Sequence, residues 1–365
     1  MAIQPDILAS TLRILRDREV DNTFRAIPLL DAVQRAGNVE QVSGGQKVDC
    51  PTILTEHSNI TQLSTGYEAV NLAVRDPLQT ATYNWCDFVA PIVLTEKEQL
   101  SNKGDRAIIR IAEARLKSVM GMLQREYCKQ VTAGTSTVLT ELESLNGSSS
   151  GGVISPIRAS GWFDNLPFGT QSASVGGIAK SAYQTSWQNQ YMDVSSQISG
   201  ASGATYTPSG TDLFRGMTQM MIQSQIYSPE GELDIILASP NSYELYKNSL
   251  FTQERYTSMT EERNMAGKLG LLFNGAMIYI DPNLPITDVN FVDASAADQT
   301  TGKVSMYFLN SKLFNVYFDR DAYFELGDYE RISGYAAMAA NIMVRTQLTT
   351  ANLSGHGMLI NGEAS

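Results

Sequence analysis

The sequence predicts an α+β chain in four successive parts: an N-terminal arm, a long β-hairpin, one long amphipathic helix and a mixed helix–strand region. Three observations carry this reading. Between residues 47 and 97, two stretches rich in Val, Ile, Thr, Tyr and Trp flank a turn-rich middle. Over residues 105–131, apolar residues recur at spacings of three and four. After residue 210, helical and strand-like runs follow one another at short spacing.

The arm opens with a short helical signal, Pro5 in a first turn followed by Leu8, Leu12 and Leu15. Residues 22–46 mix Pro28, Gly37, Gly44 and Gly45 with scattered apolar residues. Such a stretch gains order by lying along something else, and the arm 1–46, lacking a core of its own, is expected to gain order only against neighbouring subunits. QKVDCPTILTEHS and QTATYNWCDFVAPIVLTE form the two sides of the hairpin, and Asn59, Ser64, Gly66, Asp76 and Pro77 mark its polar middle. A lone hairpin is marginal in water, so this one needs support. In the helix, Ile109, Ala112, Leu116, Val119, Leu123 and Tyr127 share one face. At ~1.5 Å per residue it is about 40 Å long, a structural spine.

NGSSSGG at 146–152 is the clearest break in the chain. Beyond it, Trp162, Phe163, Trp187 and Tyr191 form an aromatic cluster that reads as core or interface. A helix is expected over 212–226, with Met217, Met220, Met221 and Ile222 as its packed stripe. LDIILAS at 233–239 reads as a buried strand, PNSYELYKNSL as a helix, and GAMIYID at 275–281 as a strand. VSMYFLN, LFNVYFD and YAAMAANIMVRTQL close the chain as strands.

Composition bounds the function. The chain has 365 residues with 27 Lys+Arg against 38 Asp+Glu, a net charge of -11. That balance argues against gripping nucleic acid by phosphate neutralisation. Only residues 96–131 are clearly positive, with eight basic residues against five acids. No run approaches the ~20 apolar residues of a membrane span, and the N-terminus lacks the pattern of a signal peptide. A cytosolic site of synthesis is expected. Cys50, Cys86 and Cys128 fit neither a disulfide framework nor zinc spacing and read as buried free thiols.

A search for chemistry finds no template. The two histidines, His57 and His356, stand far apart in the chain; both read as exposed polar residues. Gly147–Gly151 lacks nucleophile-elbow spacing, and Gly267-Lys268 lacks the upstream glycine of a phosphate-binding loop. Asp319, Asp321, Tyr323, Glu325 and Glu330 approach calcium-loop spacing, but Phe324 stands where that turn needs glycine. Their period of two instead predicts one solvated strand face. No enzyme activity, cofactor or metal is expected.

This order of parts resembles the major capsid proteins of tailed bacteriophages, whose shell fold is named after the Hong Kong phage. Three local phrases strengthen the likeness: VGGIAKSAYQTSWQNQY at 175–191, LGLLFNGAMIYIDPNLP at 269–285 and MYFLNSKLFNVYF at 306–318. The resemblance implies an N-terminal arm at 1–46, an extended loop at 47–97, and a peripheral domain at 98–145 and 304–345 with spine helix 105–131. Residues 146–303 and 346–365 would form the axial domain. It further implies hexamers and pentamers that close an icosahedral shell around double-stranded DNA in the virion, after assembly in a host bacterial cytoplasm. A separate scaffolding protein, a portal and a decoration protein are the implied further partners, with no membrane. Arg75, Asp76, Glu325, Asp328, Glu330 and Arg331 are the candidate inter-subunit contacts, the last four on an acidic peripheral loop. The alternatives are an encapsulin-like compartment shell, or a surface- or carbohydrate-binding α+β protein with an unrecognised hydrolase site.

In cross-linking members of that family, a lysine on the extended loop attacks an asparagine side chain of a neighbour. Here the span from Val48 to Thr95 holds no lysine, and its only basic residue is Arg75. A guanidinium stays protonated and is no substitute nucleophile. Lys47 and Lys97 flank the loop at its base, and each arm of ~20 residues at ~3.3 Å puts them about 60 Å from its tip. Particles boiled in denaturant are therefore expected to run as one band near 39.9 kDa. A reductant-resistant ladder contradicts this; a reductant-sensitive one implicates the three cysteines.

Overall fold

The computed structural model describes residues 28–56, 59–62, 64, 66–67, 69, 72, 76–101, 105–133, 138–139, 141–145, 162–163, 168–169, 171, 173–194, 210–228, 233–251, 262–263, 269–281, 284, 289–291, 300–302 and 304–360. The helix expected around Leu8–Leu15, together with His57 and Arg75, lies outside the described residues.

Helix α1 (Pro28–Ala36) opens the described chain and β1 (Val39–Val42) follows. Gly37, at φ 79°, turns the chain between them. The expectation that this stretch waits for a neighbouring subunit is corrected. Leu29 and Val33 are fully buried, and β1 runs parallel to β15, from Val39 opposite Val316 to Val42 opposite Asp319. Proline at the first position and apolar residues at i and i+4 are the helix signal that its glycine-rich surroundings hid.

The hairpin pairs β2 (Lys47–Ile53) with β3 (Leu78–Asn84), Lys47 opposite Asn84 and Ile53 opposite Leu78. At Trp85 the second arm changes partner, and β4 (Cys86–Thr95) leaves for a different sheet. A short helix α2 (Glu96–Ser101) then begins with a capping box. Glu98 reaches back to the Thr95 backbone N–H at 3.1 Å and to its hydroxyl at 2.7 Å. The spine helix α3 (Asp105–Cys128) carries the expected apolar face: Leu116 and Tyr127 are buried, and Val119 and Leu123 pack at the edge of the core. It ends in a π-helical turn, Lys129–Ala133.

The Gly-Gly hairpin of β5 (Ser174–Val175) and β6 (Ile178–Ala179) precedes β7 (Gln190–Asp193). Gly176 is required twice over: its φ is 56°, and a Cβ would lie 2.9 Å from the Ala81 Cβ of β3. Then come α4 (Gly210–Tyr227), β8 (Ile235–Ala238), α5 (Pro240–Phe251), β9 (Glu262–Arg263), β10 (Leu269–Phe273) and β11 (Ala276–Ile280). The strands β12 (Val289–Phe291) and β13 (Thr300–Gly302) pair with each other, and β14 (Val304–Leu309) returns to β8. The last strands are β15 (Phe314–Asp319), β16 (Glu325–Leu326), β17 (Glu330–Arg331), β18 (Ala337–Thr350) and β19 (Gly357–Ile360).

Two sheets organise these parts. The first is built on the 14-residue β18, with β4 along one edge and β15, β16 and β17 in succession along the other; β1 adds to β15. The second runs β7-β19-β14-β8-β11-β10-β9. Its strands read as continuous apolar runs because both faces are covered. Ile236, Ala238, Met306, Phe308 and Leu359 face α4 and α5. Ile235, Leu237, Tyr307, Leu309 and Ile360 face a larger core that also takes in Trp162, Phe163, Phe314, Ile342, Val344 and Leu116. One apolar core therefore joins both sheets and the spine helix.

Three expectations are corrected. Ile222 of the methionine stripe is exposed, whereas Met217, Met220 and Met221 are buried as expected. Asp319–Glu325 is not one strand face: β15 ends at Asp319, and a turn follows in which Phe324 itself adopts φ 49°. The buried Asp319 builds that turn, accepting from the Asp321 N–H at 3.0 Å and pairing with Arg345 at 3.3 Å. Phe324, packed on Phe318 and Tyr323, offsets its left-handed strain by burial.

His356 is the third. It is fully buried, because the glycine-rich tail returns to the second sheet as β19, between β7 and β14. Its Nδ1 accepts from the Asn310 N–H at 3.2 Å, which leaves Nε2–H facing the Thr350 hydroxyl at 3.2 Å. Trp162 and Phe163 stack around the ring, and burial lowers the imidazole to about 3. An unfolded histidine titrates near ~6.5, so this neutral ring contributes stability that is complete above that pH. The contribution falls as pH drops toward 3, at about 1.4 kcal/mol per unit. Between pH 7 and pH 4 the wild type is expected to lose roughly 3 kcal/mol more than His356→Gln in urea titrations. Equal losses would contradict this.

Candidate inter-subunit surfaces

The charged candidates fall into two places. Asp76 lies on the extended hairpin, exposed, and its carboxylate accepts from the Leu78 N–H at 3.1 Å where β3 begins. Glu325, Asp328, Glu330 and Arg331 lie together along one edge of β18, with Glu325 opposite Met343 and Glu330 opposite Ala339. Arg331 already has an intrachain partner: its guanidinium pairs with the Glu96 carboxylate at the start of α2. An exposed pair of this kind contributes ~0–1 kcal/mol. Nearby, Arg115 of the spine helix binds both Glu98 and the Val93 carbonyl. The guanidinium and the Thr95 donors hold the Glu98 carboxyl down at about 2. The charges of this region therefore bind β4, α2 and α3 to one another.

Sequence reasoning missed the apolar part of the surface. Ile53 of β2 is 68% exposed, and in the turn-rich middle read as polar Ile60 is 89%, Tyr67 99% and Leu72 87% exposed, so the hairpin carries four large apolar side chains turned to solvent. Along β4, Cys86, Phe88, Ile92 and Leu94 point inward, while Val89, opposite Met343 of β18, and Val93, opposite Ala339, point outward. The signal was available in VAPIVL. A strand with one solvated face alternates apolar with polar residues; apolar residues on both faces mark a strand covered on both sides. Among the described residues, β4 is covered on one face, and Val89 and Val93 on the other stay exposed.

The aromatic cluster is core. Trp162, Phe163 and Trp187 are fully buried, and the Trp162 ring meets Phe314 edge-on at 5.1 Å. Lys180 is buried beside them, donating to the Trp162 carbonyl at 2.8 Å and to Asn189 at 3.1 Å. Cys86 and Cys128 are buried and Cys50 half-buried; burial pushes the Cys86 thiol up to about 12. Among the described residues no group of three His, Cys, Asp or Glu side chains could hold a metal ion. Among them also, no helix is long and apolar enough to cross a membrane.

No family model matches the sequence, and no curated protein matches it. Solved structures do match the fold. The capsid asymmetric unit of cyanophage A-1(L) aligns with a TM-score of 0.59 over 93% of this chain and 93% of that one, at 12% identity. The holo-SrpI encapsulin complex of Synechococcus elongatus PCC 7942 aligns with a TM-score of 0.50 over 89% and 85%, at 10% identity. The chain has the α+β shell fold shared by tailed-phage capsid subunits and encapsulins.

Proposed function

We propose that this chain is a shell-forming structural subunit, and specifically the major capsid protein of a tailed phage. The observation that carries the reading is the pair of uncovered apolar surfaces on a shell fold, the exposed apolar side chains of the hairpin and the outward face of β4 and β18. A monomer gains nothing from exposing Ile60, Tyr67 and Leu72, whereas several large apolar side chains exposed on one hairpin gain by being covered at an interface. A head-to-tail contact repeated around a ring covers both surfaces at once, and rings of such contacts close into shells. In this reading the subunit acts without catalysis. The peripheral part follows the first sheet and the axial part the second, with β14 in the axial sheet. DNA, a scaffolding protein, a portal and a decoration protein complete the proposed set of partners, in a virion formed in host cytoplasm.

A compartment shell of the encapsulin kind is the second reading, favoured by the SrpI alignment. The three sequence phrases, resembling phage capsids, put the phage reading first. In sedimentation, the purified full chain is expected as a megadalton species or as capsomers rather than as a 39.9 kDa monomer. A stable monomer at micromolar concentration, with or without added scaffold, removes both readings.

A further inference from the structure

The root of the extended hairpin rests on a carboxyl group. Glu143 is buried in a short segment where four parts of the chain meet. Its backbone N–H donates to the Gln347 side chain of β18 at 3.0 Å, and Gln347 in turn donates to the Asn84 carbonyl at the end of β3. On one flank Gln130, in the π-helical turn of the spine, donates to the Leu142 carbonyl at 2.8 Å. On the other the Trp162 N–H donates to the Ser144 carbonyl at 2.8 Å. One Glu143 carboxyl oxygen, Oε2, is buried without a hydrogen-bond partner.

Among the described residues, no cation compensates this carboxyl. From β3 the titratable neighbour is Tyr83, whose hydroxyl donates to the Thr350 carbonyl at 3.2 Å and is itself pushed up, by burial first and by Glu143 second. β18 presents Gln347, the end of the spine Gln130, and the 162–163 segment Trp162; none of the three titrates. Glu141, two residues away, is exposed. Trp162 lies close enough to favour the anion, but burial outweighs it and raises the carboxyl to about 8. A buried carboxylate lacking a partner is costly, so the closed site holds the neutral acid.

We propose that the hairpin root is a proton-linked latch, closing over Glu143 as an uncharged acid and opening when water admits its anion. The sign follows from the two states. Closed, the group holds its proton up to about pH 8; open, it behaves as an ordinary glutamic acid near ~4.3. Closing therefore takes up a proton anywhere between those values. The latch tightens as pH falls toward 4.5, loosens as pH rises toward 8, and levels off above. This proposal concerns the single subunit and stands apart from the shell reading.

Hydrogen exchange on the full chain tests it, with amide protection corrected for intrinsic rates and expressed as the ratio of opening at 47–53 and 78–84 to opening in β8. Between pH 5 and pH 7.5 this ratio is expected to rise at least tenfold in the wild type and to stay flat in Glu143→Gln and Glu143→Leu. A flat wild-type ratio overturns the latch, as does the same rise in either variant. Should neither variant fold, the wild-type ratio alone decides.

Discussion

Replacing Ile60, Tyr67 and Leu72 together by aspartate is expected to abolish closed particles while leaving the subunit's own unfolding midpoint nearly unchanged. The three side chains are among the most exposed large apolar groups of the hairpin, so their removal from an isolated subunit takes away almost no buried area. Surface substitutions of that kind usually stay within about 0.5 kcal/mol. Covered by a neighbour, each contributes roughly 1.5–3 kcal/mol. Losing three weakens every subunit contact by an order of 5 kcal/mol, more than a thousandfold in association. A shell multiplies that loss over all its contacts. Negative-stain counts of particles against soluble subunit measure it; normal particle yield would mean that these side chains are not at an interface.

Trp162→Ala is expected to cost the fold more than any other single truncation, about 3–5 kcal/mol. Its indole is fully buried where the larger core joins both sheets, edge-on to Phe314 at 5.1 Å and stacked at 6.2 Å on His356. Its backbone ties the 144–145 segment to Lys180. Urea unfolding should show a lower midpoint at an unchanged slope, and Trp162→Phe should lose markedly less. A loss under about 1 kcal/mol would mean that the two sheets do not share this core.

Periodicity made the spine helix legible, because a buried helix face leaves a repeating trace. Runs of β-branched and aromatic residues made β4, β8, β11, β14, β15 and β18 legible, about half the strands of the two sheets, because a buried strand leaves an apolar run. The Gly176-Gly177 and Asn274-Gly275 turns lie within two of the quoted phrases, where positive φ restricts residue choice. What escaped was decided by distant partners. α1 and β1 sit among glycines, and partners far along the chain give them a place: β15 for both, and β11 and the 311–313 turn for α1. His356 lies in a glycine-rich tail, yet Gly357 allows Met220 to close over β19: a Cβ there would lie 2.3 Å from the Met220 sulfur. Phe324 occupies a left-handed position that local rules reserve for glycine, held by aromatic packing from across the turn. The charged candidates were legible as a cluster at 325–331, but the pairing of Arg331 with Glu96, 235 residues away in sequence, was not. The exposed apolar side chains of the hairpin were passed over because Ile60, Tyr67 and Leu72 are spaced too widely in a polar segment to form a pattern.

Cryo-electron microscopy of the assembled full chain tests the central claim most directly. The account predicts closed hollow particles built of five- and six-membered rings, in which the 47–84 hairpin of each subunit lies against a neighbour with Ile60, Tyr67 and Leu72 covered. Particles that fail to form under any assembly condition, or rings in which that hairpin points into solvent, would contradict it.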